Sequence, residues 1–346
     1  MVMTQAPRPH QGPEVSILLP FYNAAATLAE CLASIARQTL PEYELIAVDD
    51  GSTDNSAELL RARAANDRRI RLFQPGRRGL VEALNIGLRA ARAPLVARMD
   101  ADDRMHPDRL RLQRDFMLSN IDIALVGTCV RLFPEDRIQA GYREYIRWQN
   151  QCLAPRDIRN AIYVESPFAH PSVMFRRDVV THLGGYREGD FPEDYELWLR
   201  LHHHGYAMAK LPETLLDWRD GDARLSRTHP AYAREAFDRL RAEYLRRDPR
   251  LAADRDLVYW GAGRRTRKRA QHLIQHGFRP SAWIDIDARK IGNRVGGAWV
   301  RPVDWLDRRP LPFVLSYVTN HGAREWIRAR LERLGYLEGN DFLFIG

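Results

Sequence analysis

Leu95-Val96-Ala97-Arg98-Met99-Asp100-Ala101-Asp102-Asp103 joins a short apolar run directly to three carboxylates. The run reads as a strand buried on both faces. Carboxylates crowded at a strand end repel one another unless a cation neutralises them. An oxygen-rich cluster of this kind suits Mg²⁺ or Mn²⁺. The same residues also spell an acidic turn with Asp103 capping a helix, and this stretch alone leaves both readings open.

Upstream, the same arrangement recurs. Val15-Ser16-Ile17-Leu18-Leu19 is an apolar strand ended by Pro20, and Leu28, Cys31, Leu32 and Ile35 follow at helical spacing. Leu45-Ile46-Ala47-Val48 is a second strand, stopped by Asp49-Asp50-Gly51-Ser52, with a helix expected from about Asp54 to Ala65 and Ser52 or Thr53 as its cap. Ile70–Phe73 predicts a third strand, and Ala83, Leu84, Gly87, Leu88 and Ala91 form the packing stripe of the next helix. Strands alternating with helices predict a parallel α/β sheet, whose ligands bind at the carboxyl ends of the strands. Both acid clusters fall there. Tyr22 and Asn23 line the same edge, where the Tyr22 ring either stacks on a base or simply packs.

Downstream, residues 110 to 247 lose this rhythm, as expected of a half with longer loops. Glu193-Asp194 reads either as helix-start acids favoured by the dipole or as a catalytic pair. His202-His203-His204 reads as a solvated helix end. A linker near residues 246–255 precedes a new unit: strand Leu257–Trp260, turn Gly261-Ala262-Gly263, helix Thr266–His276, then strands Ala282–Ile284 and Phe313–Ser316. The expected organisation is a disordered leader over 1–14, an α/β domain over 15–247 and a small Rossmann-like domain over 253–346. Gly261-Ala262-Gly263 has Thr266 at the third glycine position, with Asp285 and Asp287 near the place of a ribose-binding acid; this weak match argues against NAD chemistry.

The chain has 346 residues, 45% hydrophobic and 28% charged, with a net charge of +8. That balance favours polyanionic partners, or reflects an Arg-rich composition. Arg61, Arg63, Arg68, Arg69, Arg71, Arg77 and Arg78 are expected mostly on a solvated helix face. Three cysteines without CxxC spacing argue against a disulfide framework or structural zinc and for a reducing, cytoplasmic setting. No signal-like segment or membrane-spanning run is read.

Taken in order, Leu19-Pro20-Phe21-Tyr22-Asn23, Val48-Asp49-Asp50-Gly51-Ser52, Leu84-Asn85-Ile86-Gly87, Ala97–Asp103 and Glu193-Asp194-Tyr195-Glu196-Leu197-Trp198-Leu199-Arg200 resemble family-2 glycosyltransferases of the GT-A fold. The resemblance covers about Val15 to Leu245. It implies a mixed sheet with flanking helices, a nucleotide-sugar donor (a UDP-sugar), Mn²⁺ or Mg²⁺, and transfer with inversion. It implies that Tyr22 and Asp50 contact the base with Asp49 nearby, that Asp100 and Asp102 form a DxD pair with Asp102 the direct metal ligand, and that Asp194 is the catalytic base. Pro20, Asn85, Ala101, His170, Glu193 and Arg224 complete the donor-binding set that it implies. A His common near Gly221 in relatives is absent, and Arg219, Arg224 or His229 is left to substitute.

The implied acceptor is a glycan or glycolipid precursor. The two-domain order, with Tyr145–Gln151, Trp260–Gly263, Ile284–Ile291 and Glu338–Leu343, also resembles the queuosine-tRNA galactosyltransferases, which makes a modified tRNA nucleoside the alternative acceptor. A non-catalytic nucleotide-binding protein is a further alternative, and homo-oligomerisation stays open.

Overall fold

The computed structural model describes residues 12–221, 224–251, 255–320 and 322–346. Most of the expected leader, and Asp222-Ala223 of the segment after Gly221, lie outside the described residues. The elements run β1 (Val15–Phe21), α1 (Ala25–Ala36), β2 (Tyr43–Asp49), α2 (Ser56–Ala64), β3 (Ile70–Phe73), α3 (Leu80–Ala90), β4 (Leu95–Arg98) and β5 (Arg104–Met105). They continue with α4 (Arg109–Ser119), β6 (Ile123–Phe133), α5 (Ala140–Gln151), α6 (Pro155–Ala161), β7 (Met174–Arg176), α7 (Arg177–His182), α8 (Glu193–His203) and β8 (Ala207–Arg219). The last are α9 (Leu225–Thr228), α10 (Arg234–Leu245), β9 (Leu257–Trp260), α11 (Arg264–Gln275), β10 (Ala282–Ile284), β11 (Arg294–Val295), β12 (Ala298–Arg301), β13 (Phe313–Ser316), α12 (Ala323–Arg333) and β14 (Phe342–Phe344).

These elements form two compact units. The first holds the described residues of Met1–Leu153, Phe168–Glu188 and Tyr206–Arg224. Its sheet has the order β3-β2-β1-β4-β7-β6-β8-β5. The first four strands are parallel, as their apolar runs predict, whereas β7 inserts antiparallel between β4 and β6. This is the mixed, helix-flanked sheet of the expected fold class. The β1–β4 ladder ends at Leu18–Arg98, because Pro20 has no N–H to donate to the Met99 carbonyl, which accepts from the Arg98 guanidinium instead. The chain beyond β4 is thereby released from the sheet at the acid cluster. Helix α2 begins at Ser56, later than expected, and neither proposed residue caps it. Ser52 Oγ accepts from the Asn23 N–H and the Thr53 N–H donates to Asn23 Oδ1, tying the loop after β1 to the loop after β2.

The second unit holds Ala154–Pro167, Gly189–Gly205 and the described residues of Leu225–Gly346. This grouping by contacts crosses the boundary read near residues 247–253, because early segments are bonded into the C-terminal lobe. Tyr163 donates to Asp248, Tyr195 donates to the Ile162 carbonyl, and Arg241 reaches both Tyr195 and Glu165. The six-stranded sheet has the order β11-β12-β10-β9-β13-β14, parallel except for β11. Gly296 and Gly297, at φ 57° and 88°, make the two-residue hairpin between β11 and β12. From β9 the chain winds one way to β10 and β12, then returns to the other side of β9 as β13. Helix α11 starts at Arg264, two residues before the predicted start. No helix among the described residues is long and apolar enough to cross a membrane.

Candidate active site

The site in the first unit is built where β1, β2 and β4 end. Asp49 closes β2 and Asp50 follows it, both buried. Asp49 accepts from the Ser52 N–H at 2.8 Å and from Gln74 at 3.1 Å. Asp50 accepts from the backbone N–H groups of Arg78 and Gly79 at 2.6 and 2.8 Å, and from the Arg77 guanidinium at 2.7 Å. Arg77 also lies over the half-exposed Tyr22 ring, 3.6 Å from its centroid. The expected arginine-covered helix face is thus only partly realised. Arg61 and Arg63 lie on α2, but Arg69, Arg71 and Arg77 lie beyond it and pair with Asp67, Glu44 and Asp50. Sequence reading missed the Arg77 role because a partner 27 residues away leaves no periodic trace.

After β4, Asp100, Asp102 and Asp103 each bring an oxygen within 4.8 Å of the others. Burial works against Asp100 ionising, but Arg98 beside it, 2.7 Å away, and then His170 hold its carboxyl below the usual range. Arg98 is 2% exposed, and it was also missed; an arginine inside an apolar strand is the signal, since a buried charge demands a partner. Burial and the Asp100 charge push Asp102 up to about 6. Burial and the charges of Asp102 and Asp100 push Asp103 far above the carboxylate range. Asp103 Oδ1 accepts from the Arg219 N–H at 2.7 Å, whereas its buried Oδ2 has no partner among the described residues. Two raised acids beside one kept ionised, with an orphaned oxygen on Asp103, form a donor set that fits a hard dication. Behind them, fully buried Arg109 donates to the carbonyls of Arg98 and Val173 at 2.9 and 3.3 Å.

The remaining expected residues fall as follows. Pro20 is buried inside β1, and Ala101 is buried within the acid turn, its carbonyl accepting from Thr27. Asn85 is bonded at both ends of its amide to the Tyr186 backbone, at 2.9 Å each, which makes it a positioning residue. The Tyr186 hydroxyl meets His170 Nε2 at 3.0 Å, so Asn85 is linked through that loop to the His facing Asp100. Among substitutes for the absent His, Arg224 stacks 4.2 Å over Trp218, bonds Tyr142 and acts electrostatically on all three acids. Arg219 is engaged by Glu30 and the Asp102 carbonyl. His229 belongs to the second unit, where it accepts from the Ala231 N–H.

Glu193 and Asp194 also belong to the second unit, in the first turn of α8. Glu193 is buried and held by the Tyr232 hydroxyl. Glu196 forms a buried pair with Arg200 at 2.8 Å. Asp194 is the half-buried acid of the three, with Oδ1 bonded to the Tyr195 N–H at 2.7 Å. The histidines beyond are not uniformly solvated: His202 is 3.6 Å from Asp248 and packs on Tyr163, while His203 and His204 are exposed.

A carboxylate cluster at the carboxyl edge of a four-strand parallel half-sheet, continued by strands of mixed direction, defines a GT-A-type sugar transferase. The chain belongs to glycosyl transferase family 2, whose model matches residues 16–184. It is 34% identical over 209 residues to the amylovoran biosynthesis glycosyltransferase AmsE of Erwinia amylovora, covering 60% of this chain and 76% of that one. It is 29% identical over 236 residues to the O-antigen biosynthesis glycosyltransferase WbnJ of Escherichia coli, covering 67% and 89%. S. aureus TarS 1-349 in complex with UDP-GlcNAc shares the fold, with a TM-score of 0.53 at 18% identity over 68% of this chain and 72% of that one.

Proposed function

We propose that this glycosyltransferase transfers a sugar from a UDP-sugar, with inversion, to a hydroxyl of a glycan or glycolipid precursor. The observation that carries the reading is the Asp100-Asp102-Asp103 cluster, with Asp102 and Asp103 raised beside an ionised Asp100 and with the orphaned Asp103 oxygen. The bacterial polysaccharide relatives support a glycan acceptor, and the UDP-GlcNAc complex of TarS supports a UDP-sugar donor. A cytoplasmic setting belongs to the same proposal.

Mn²⁺ or Mg²⁺ would be held by Asp102 with Asp100, and when bound supplies Lewis-acid stabilisation of the departing diphosphate. The protein's own residues do the rest. Arg98 keeps Asp100 ionised, and Arg224 offers a fixed cation toward the diphosphate. Asp49, Asp50 and Tyr22 receive the nucleoside, whose base takes the ring face that Arg77 covers in this structure. Asp194 accepts the proton of the attacking hydroxyl, its charge favoured at the start of α8. One carboxylate base is enough for direct displacement, so the anomeric configuration inverts.

The test is donor turnover with Asp194→Asn, scored with a panel of UDP-sugars against lipid-linked glycan acceptors and total tRNA. Transfer is expected to fall about 10²–10⁴-fold, the usual contribution of a general base, while UDP binding persists. Normal turnover in that variant places the base elsewhere. Sugar incorporation into tRNA alone moves the acceptor to a modified nucleoside, and UDP binding without any transfer supports a non-catalytic nucleotide-binding protein.

A further inference from the structure

The second unit carries a cavity of about 760 Å³, within the size range of small-ligand sites, at the carboxyl ends of β9, β10 and β13. It lies where the strand order of the sheet reverses, between β9 and β13, the place at which doubly wound sheets take ligands. Six basic side chains against four acidic ones line it. Of the basic ones, Arg264 and Arg265 open α11 into the cavity, both exposed and neither held by a carboxylate among the described residues. Trp326 of α12 lines the opposite wall, 51% exposed and braced edge-on by buried Trp260 at 6.2 Å. An exposed indole on a cavity wall offers a flat apolar face on which a ring can stack.

The loop between β9 and α11 separates what folding needs from what it does not. Gly261, at φ 111°, is required by the turn, and a Cβ there would press to 3.0 Å on Thr266 and Val318. Thr266, which stands where a third glycine is usual, closes the loop by donating to the Gly261 and Gly263 carbonyls at 2.7 and 2.8 Å. Gly263 has ordinary extended backbone, φ −71° and ψ 159°, and a Cβ on it would meet only Thr266 Oγ1, at 3.6 Å. Nothing inside the fold therefore demands glycine at 263, which lines the cavity. Asp285, at the place of a ribose-binding acid, is spent on the loop: it accepts from the Ala262 N–H at 2.9 Å and from Lys290 at 3.1 Å. That pairing brings the Lys290 ammonium to the cavity rim.

We propose that this cavity binds a nucleoside diphosphate, separately from the donor site of the first unit. The phosphates meet the open N–H groups of α11 with Arg264, Arg265 and Lys290, approaching over Gly263, and the base stacks on Trp326. The proposal stands on the C-terminal lobe alone and does not depend on the transferase mechanism.

The experiment is titration calorimetry of the full chain in EDTA with ADP, GDP, CDP and UDP as separate probes. At least one is expected to bind at a single site. Arg264→Glu/Arg265→Glu should weaken that binding at least about tenfold, as should Gly263→Ser, which keeps a helix-capping residue while filling the approach. Asp102→Asn should leave it unchanged. Melting temperatures establish that the variants fold, since none of the four altered positions is a buried residue. Failure of all four probes at millimolar concentration overturns the proposal. So does binding that survives both cavity variants or that disappears in Asp102→Asn.

Discussion

Asp102 carries the heaviest load of any single residue. With its carboxyl pushed up to about 6, a proton competes with a metal ion for it below that pH. Mn²⁺ affinity, measured by calorimetry or by proton relaxation, is expected to fall steeply as pH drops through about 6. An affinity flat from pH 7 to 5 would remove Asp102 from the ligand set. Arg98 is the second exposed point of the account. Replacing it with Met leaves the partly exposed Asp100 without its neighbouring countercharge, a change expected to cost about 1–3 kcal/mol in urea unfolding. A loss below 1 kcal/mol would show that Asp100 finds solvent or another partner. These residues illustrate the limit of sequence reading. DADD announces a cation site by its spacing, but which acid stays ionised depends on Arg98 and His170, and the His is 70 positions away.

At the scale of elements, the parallel half-sheet was legible because its strands are short apolar-rich runs, two of them, β1 and β3, followed by helices with a clear apolar stripe. Gly87 shows how closely α3 packs on β1: a Cβ there would stand 2.0 Å from Leu18 Cδ1 and 3.4 Å from Val48. Gly87→Ala is therefore expected to destabilise by about 1–3 kcal/mol through overpacking, visible as a lower urea midpoint at unchanged slope. An unchanged or raised midpoint would mean that Leu18 swings away freely. The antiparallel insertion was not legible. Strand β7 has three residues and β5 two, too short for any period, and β8 interrupts its apolar residues with a buried Lys210, Pro212-Glu213-Thr214 and Asp217. Its pairing with β6 includes register shifts, which blur alternation further. The start of α2 was misread for a different reason: Ser52 and Thr53, good caps by type, are drawn away by Asn23.

For the molecule as a whole, the boundary read from linker composition does not coincide with the division into two compact units. The linker composition near residue 250 is obvious, yet Asp248 is bonded to Tyr163, far back in the chain. Although burial opposes its charge, hydrogen bonds from Arg250 and His202 hold the Asp248 carboxyl far below the usual range. A depressed folded-state value contributes stability above the unfolded-state value near 4 and loses it as pH falls further. Asp248→Asn is thus expected to lower stability at pH 7 by about 1.5–3 kcal/mol, with the gap to the parent chain narrowing at pH 3 and below. A gap that stays constant with pH would assign the loss to packing rather than to charge. The chemistry of the acid cluster is tested most directly by UDP release from a panel of UDP-sugars with Mn²⁺, with EDTA, and with Asp102→Asn. Release is expected with Mn²⁺, and it should vanish both in EDTA and in the variant. Release that continues undiminished in EDTA, or in Asp102→Asn with Mn²⁺ present, would contradict that chemistry.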